Sequence, residues 1–221
     1  MQAELAQQPE KAETVAMLKV GLTGGIACGK TTVLAMFAKL GAHTLRADAV
    51  AHRLMVPGEP MFDEIVAAFG EEVLALDGTI ARPKLAATAF PNRIGELNAI
   101  VHPRVLAFED DWMQQIGETD PHGVAICEAA LLIEAGGLAR YDKLIVVTCT
   151  LEQKIQRFAE RTGTTPDEAR AEVLKRMAAQ MPETEKAKLA DFVIDNSAAK
   201  ETAEQQVREV WQQLIAAAHS H

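Results

Sequence analysis

MLKVGLTGGIACGKTTVLAMFAKLG, residues 17–41, decides the fold. Its first seven residues are apolar, carry a β-branched residue and do not alternate, as expected of a strand covered on both faces. Glycines follow at once, and TTVLAMFAKL then reads as a helix that Gly41 closes. Strand, glycine loop and helix in that order open a parallel α/β sheet. Further strands are expected at HTLR (43–46), GVAIC (123–127), KLIVVTC (143–149) and DFVID (191–195), with helical stretches between them. The fold class expected is therefore α/β: a three-layer phosphate-loop fold with a parallel central sheet.

Two stretches exceed what a crossover needs. Residues 49–116 are expected to form a helical insert and residues 151–190 a second helical excursion, opened in part by a Pro-bearing helix start at Thr165–Glu168. That leaves 17–48, 117–150 and 191–221 as the core. Residues 1–16 are polar, lack an apolar signal segment and read as a disordered leader.

Within the opening stretch, GGIACGKT matches G-x-x-x-x-G-K-[ST] at Gly24, Gly29, Lys30 and Thr31, with the strand before it and the helix after it that the motif requires. Such a loop turns backbone N–H groups inward around phosphate and adds the positive end of a helix. Lys30 is placed to reach the β- and γ-phosphates, and the Thr31 hydroxyl to ligate Mg²⁺. The nucleotide set expected is Gly24, Gly25, Ala27, Cys28, Gly29, Lys30, Thr31 and Thr32. No N-K-x-D occurs, and Asp120–Gly123, the one D-x-x-G, precedes a strand rather than following it, so a GTPase is disfavoured. An ATP-using kinase or ATPase remains. Asp48 follows the second strand, on the sheet edge that the phosphate loop shares. There it suits a general base or orienting group for an attacking hydroxyl, and equally an N-cap for the next helix.

Composition narrows the setting. The chain has 221 residues, 48% of them hydrophobic and 24% charged, which are globular proportions. Its formal charge of −9 provides no general attraction for nucleic acid, so an anion must be captured locally. Cys28, Cys127 and Cys149 show no metal or disulfide spacing, which fits reduced thiols in the cytoplasm. No apolar run is long enough to span a bilayer. Oligomeric state is not legible.

The ordered set of segments resembles the dephospho-coenzyme A kinase family, which is similar to nucleotide monophosphate kinases. The matching pieces are VGLTGGIACGKTTV (20–33), LGAHTLRADAVAHRLMVPGEP (40–60), DGTIAR (77–82), His102-Pro103, EAALLIEAG (128–136), LIVVTC with LEQKIQRFAERTG, AAQM (178–181) and ADFVIDN (190–196). The resemblance implies transfer of the ATP γ-phosphate to the ribose 3′-hydroxyl of dephospho-coenzyme A, the last step of coenzyme A synthesis. It implies Asp48 as the base, the 49–116 insert as the acceptor-binding part and 151–190 as a lid.

Lid residues Arg157 and Arg161, four apart on one helical face, are then candidates to neutralise charge on the transferring group. Asn196 is a candidate adenine contact, Arg82 a pyrophosphate contact and His102 an acceptor contact, while Glu128 is placed to hold a Mg²⁺-associated water. Four positions depart from the family pattern, among them Cys28 in the loop where serine is usual. Ala27 stands where glycine is usual and requires a φ below zero there. Arg46 replaces the first acid of D-A-D, and Ala130 replaces a proline. Alternatives that the residues leave open are a nucleoside or nucleotide monophosphate kinase and a non-catalytic ATP or coenzyme A binding module.

Overall fold

The computed structural model describes residues 17–220; the leader expected at 1–16 lies outside the described residues. Five parallel strands, β1 (Leu18–Gly24), β2 (His43–Arg46), β3 (Val124–Glu128), β4 (Lys143–Thr148) and β5 (Phe192–Asp195), form one sheet in the order β2-β3-β1-β4-β5. The expected strands shift by one or two residues: β3 takes in Glu128 and β4 stops at Thr148.

The central strands read as unbroken apolar runs because both faces are covered. Val20, Leu22, Ile126, Ile145 and Val147 face α1 (Lys30–Leu40) and the terminal helix α9 (Lys200–Ala218), packing with Phe37, Val207 and Leu214. Their alternates face the other layer, Ala125 and Cys127 against Met113 and Ile116, and Leu144 and Val146 against Leu132 and Ile133. Gly21 faces that second layer, where a Cβ would come within 2.8 Å of Leu132.

Between β2 and β3 run α2 (Ala47–Leu54), α3 (Pro60–Phe69), α4 (Arg82–Ala89) and the long α5 (Ile94–Thr119). Met61, Ile65, Phe69, Val73, Leu85 and Ala89 give these helices an apolar cluster of their own. After β4 come α6 (Leu151–Thr162), α7 (Pro166–Ala178) and α8 (Glu183–Leu189). Capping boxes at Thr150/Gln153 and Thr165/Glu168 start α6 and α7. The cluster that joins these two helices includes Ile26 of the glycine loop, so the excursion packs directly on the loop. No described helix is long and apolar enough to cross a membrane.

The chain leaves β1 toward β2 and β3 on one side, while β4 and β5 lie on the other. The glycine loop therefore sits where strand order reverses, the place at which doubly wound sheets bind ligands.

Candidate active site

The loop joins β1 to α1 through backbone conformations that few residues accept. Gly24 has φ 151° and Gly29 φ 91°, and α1 begins at Lys30. Lys30 Nζ donates to the carbonyls of Gly24 (3.1 Å) and Gly25 (2.9 Å), which curls the loop around its own lysine. Cys28 is buried against Gly24, and that burial raises its thiol pKa. It packs and does not ionise.

Ala27 overturns one expectation: its φ is +53°, in the left-handed region, not below zero. The loop geometry outweighs the local preference of an L-residue, a strain of about 1–2 kcal/mol. Glycine would relieve it at some cost in unfolded-chain entropy. Ala27→Gly is therefore expected to stabilise the fold by about 0.5–1 kcal/mol, seen as a rise of a few degrees in thermal midpoint; an unchanged or lower midpoint would refute the strain.

Arg157 and Asn196 converge on the loop from the opposite side. Asn196, at the end of β5, is buried and donates from Nδ2 to the Cys28 carbonyl at 2.8 Å. Arg157 donates to the same carbonyl (3.3 Å) and to the carbonyl of Asn196 (3.0 Å). Arg161 does not join them, since its guanidinium lies over the Phe158 ring, 5.4 Å from the centroid.

Glu128, at the carboxyl end of β3, is buried and accepts from the Thr31 hydroxyl at 3.1 Å. Arg46, its register partner on β2, stands 3.4 Å from the same oxygen. Arg46 is also the N-cap residue of α2, which places Asp48 inside the first turn. The N-cap reading of Asp48 thus fails, because the helix starts one residue before it. Asp48 is exposed and, among the described residues, its carboxylate has no hydrogen-bond or ion-pair partner.

Asp48 instead lines a cavity of about 310 Å³ between α2, α5 and the segment after β3. His102 lines it too, with Glu109, Ala129 to Leu132, Arg140 and Tyr141. Because Ala129 directly follows Glu128, the wall of this cavity continues β3, the strand whose last residue meets Thr31. Sequence reading missed the cavity floor. Glu109 is 2% exposed, 3.6 Å from Arg140 and within 3.4 Å of the Tyr141 hydroxyl. Burial raises its carboxyl pKa against the opposing pull of Arg140. The signal available was spacing: Glu109 is seven residues after His102 on one helix, hence on the same face.

Arg82 opens α4 outside this cavity and donates to His52 Nε2 at 2.6 Å. Burial and the Arg82 guanidinium lower the His52 pKa, so the imidazole stays a neutral acceptor that holds Arg82. His52 also escaped the sequence reading, although it is one turn after Asp48.

The residues fit a magnesium ion. Two oxygens adjacent in an octahedral Mg²⁺ shell of about 2.0–2.1 Å lie roughly 2.9 Å apart, close to the 3.1 Å between Thr31 Oγ1 and Glu128 Oε2. Among the described residues no group of three or more His, Cys, Asp or Glu gathers elsewhere as a metal cage.

A family model described as dephospho-CoA kinase matches residues 18–202. The chain is 40% identical over 205 residues to the dephospho-CoA kinase of Streptomyces avermitilis, covering 92% of this chain and 97% of that one. It is 40% identical over 201 residues to the dephospho-CoA kinase of Geobacter metallireducens, covering 90% and 98%. Among solved structures, TT1252 from Thermus thermophilus superposes with a TM-score of 0.76 at 33% identity, covering 90% of this chain and 98% of that one. The dephospho-CoA kinase from Campylobacter jejuni gives 0.64 at 24% identity, over 90% and 98%, and supports the fold.

Proposed function

The chain belongs to the dephospho-CoA kinase family, and we propose that its glycine loop and Asp48 cavity together move the γ-phosphoryl group of ATP to the ribose 3′-hydroxyl of dephospho-coenzyme A. The observation that carries the reading is the unpartnered Asp48 carboxylate, facing a cavity whose wall runs out of the strand end that meets Thr31.

The loop amides and the α1 N-terminus bind the ATP phosphates, and Lys30 turns from the loop carbonyls toward the β- and γ-oxygens. Thr31 and Glu128 would hold Mg²⁺, which would offset charge on those oxygens. The acceptor hydroxyl oxygen attacks the γ-phosphorus in line, the bond to the ADP leaving oxygen breaks, and the hydroxyl proton passes to Asp48. Arg157, held at the mouth of the loop by two carbonyls, is near enough to exchange them for phosphoryl oxygens. Asn196 supports the loop from beneath, which makes loop support its primary job and adenine contact secondary. His102 and the Arg82–His52 pair flank the acceptor. Packing of α6 and α7 on Ile26 lets the lid respond to an occupied loop and exclude water, the competing acceptor. The three cysteines are free and buried, which supports a reducing cytoplasmic setting.

The test is to incubate the protein with Mg·ATP and each of dephospho-coenzyme A, AMP and adenosine, and to measure ADP. ADP is expected with dephospho-coenzyme A alone. ADP with AMP alone would assign a nucleotide kinase, and no ADP with any acceptor would leave a binding module.

A further inference from the structure

Helix α8 has the sequence ETEKAKL and looks like an exposed charged turn. Yet Lys186 is 0% exposed and the Glu183 side chain only 18%. Lysine is almost never fully buried unless paired, and a buried ion pair contributes little net stability because desolvation offsets its attraction. What these pairs join is more informative than what they stabilise. Glu183 accepts the Gly25 N–H of the glycine loop through Oε1 (3.1 Å) and meets Lys154 Nζ through Oε2 (2.7 Å). Lys154 is itself buried on α6, one turn before Arg157. Three residues further along α8, on the same helical face, Lys186 Nζ pairs with Glu134 Oε1 at 2.8 Å and reaches the Ala130 carbonyl at 3.4 Å. That carbonyl also accepts the Thr23 hydroxyl (3.2 Å), and Glu134 Oε1 accepts the Met181 N–H (3.0 Å). Ala130 lines the Asp48 cavity, and Glu134 sits between the lining residues Leu132 and Ala135. A single helical turn therefore bridges the ATP loop and its lid helix to the wall of the acceptor cavity, Glu183 engaging the Gly25 N–H at one end and Lys186 the Ala130 carbonyl at the other.

We propose that Lys186 and Glu134 are positioning residues that hold the acceptor wall in register with the ATP loop, so that the two substrates bind with positive coupling through α8. The proposal builds on the kinase reading above and adds to it a residue pair and a thermodynamic link. A ligand that orders one end of a rigid bridge reduces the ordering cost at the other, and the effect is reciprocal. The bridge is held because Lys186 is fully buried and Glu183 largely so, each engaged by a side-chain charge and a backbone group at a fixed point.

Calorimetric titration tests it. Dephospho-coenzyme A is titrated into the full chain with and without Mg²⁺ and a non-hydrolysable ATP analogue, and the analogue is titrated with and without dephospho-coenzyme A. In the wild-type chain each ligand is expected to tighten the other by about fivefold or more. Lys186→Met and Glu134→Gln are expected to bring that factor below about twofold, with affinity for the analogue alone unchanged. In turnover, the KM for dephospho-coenzyme A rises while the KM for ATP stays put, and Lys186→Arg, which keeps the charge, restores much of the coupling. If Lys186→Met does not fold, Glu134→Gln, which keeps the shape and one acceptor oxygen, gives the same readout. A wild-type chain that binds both ligands independently, variants that keep the coupling, or variants that weaken both ligands alike would overturn the proposal. A wild-type chain that does not bind dephospho-coenzyme A at all would overturn the kinase reading instead.

Discussion

Asp48→Asn is expected to lower kcat by about 10²–10⁴-fold, the usual contribution of a positioned general base, while leaving the KM for ATP within about twofold of wild type. The split follows from where the residue sits. Asp48 is on the first turn of α2 and lines the cavity, whereas Asn196, Arg157 and Glu183 contact the phosphate loop itself. Asparagine keeps the size and the hydrogen-bonding oxygen but cannot take the acceptor proton. The variant must also fold normally: an exposed carboxylate with no partner is the kind of position where substitution moves stability by no more than about 0.5 kcal/mol. Steady-state kinetics and a thermal melt therefore give a clean pair of readouts. Full activity in the variant would remove Asp48 from the chemistry, even with the reaction itself confirmed.

Magnesium dependence has a local reason to differ from what two carboxylates would give. Arg46 stands where the family pattern has an acid, and its guanidinium lies 3.4 Å from the same Glu128 oxygen that meets Thr31. A cation beside a metal-facing carboxylate opposes a second cation there. On the proposed reading, Thr31, Glu128 and the ATP phosphates would hold Mg²⁺ against that opposition, with the ATP charge as the main attraction.

Much of this was readable before any coordinates, and what was readable is local. The β1–loop–α1 unit is specified by apolar run, glycine placement and helix closure within 25 residues, as quoted from residues 17–41. Asp48 is legible as a candidate because carboxyl ends of parallel strands share an edge, a rule of topology rather than of contact. The misses are tertiary. Nothing in GGIACGKT shows that Ala27 must adopt φ +53°; the path of the loop between β1 and α1 imposes it. Arg157 and Arg161 are equivalent by spacing, yet one turn along α6, about 5.4 Å of rise, carries Arg161 away from the loop. Lys186 looks like any lysine of a charged helix, because the partners that bury it, Glu134 and the Ala130 carbonyl, are more than fifty residues away in sequence. Pattern reading recovers faces and edges; it does not recover which charge is turned inward.

Gly29→Ala is expected to abolish useful ATP binding, and the reason can be separated into parts. Gly29 has φ +91°, and a Cβ there would lie 2.2 Å from Asn196 Nδ2 and 3.6 Å from an Arg157 nitrogen. The backbone cost alone is about 1–2 kcal/mol. Displacing Asn196 also breaks its 2.8 Å bond to the Cys28 carbonyl, and a buried group left unsatisfied costs about 1–3 kcal/mol more. If the loop meets that cost only when folded for phosphate, the binding-competent fraction falls by roughly 30-fold to several thousand-fold, and the apparent Kd rises by the same factor. Gly163→Ala supplies the control, because Gly163 shares a positive φ (+68°) but has no atom within 4 Å of its would-be Cβ. It should lose stability without losing ATP. Asn196→Ala combined with Gly29→Ala removes the clashing amide, so the double variant should bind ATP more tightly than the sum of the single losses implies. Calorimetry on the four proteins decides the matter: additive losses would show that Asn196 and Gly29 do not contend for the same space, and wild-type affinity in Gly29→Ala would show that the loop does not need this conformation to hold phosphate.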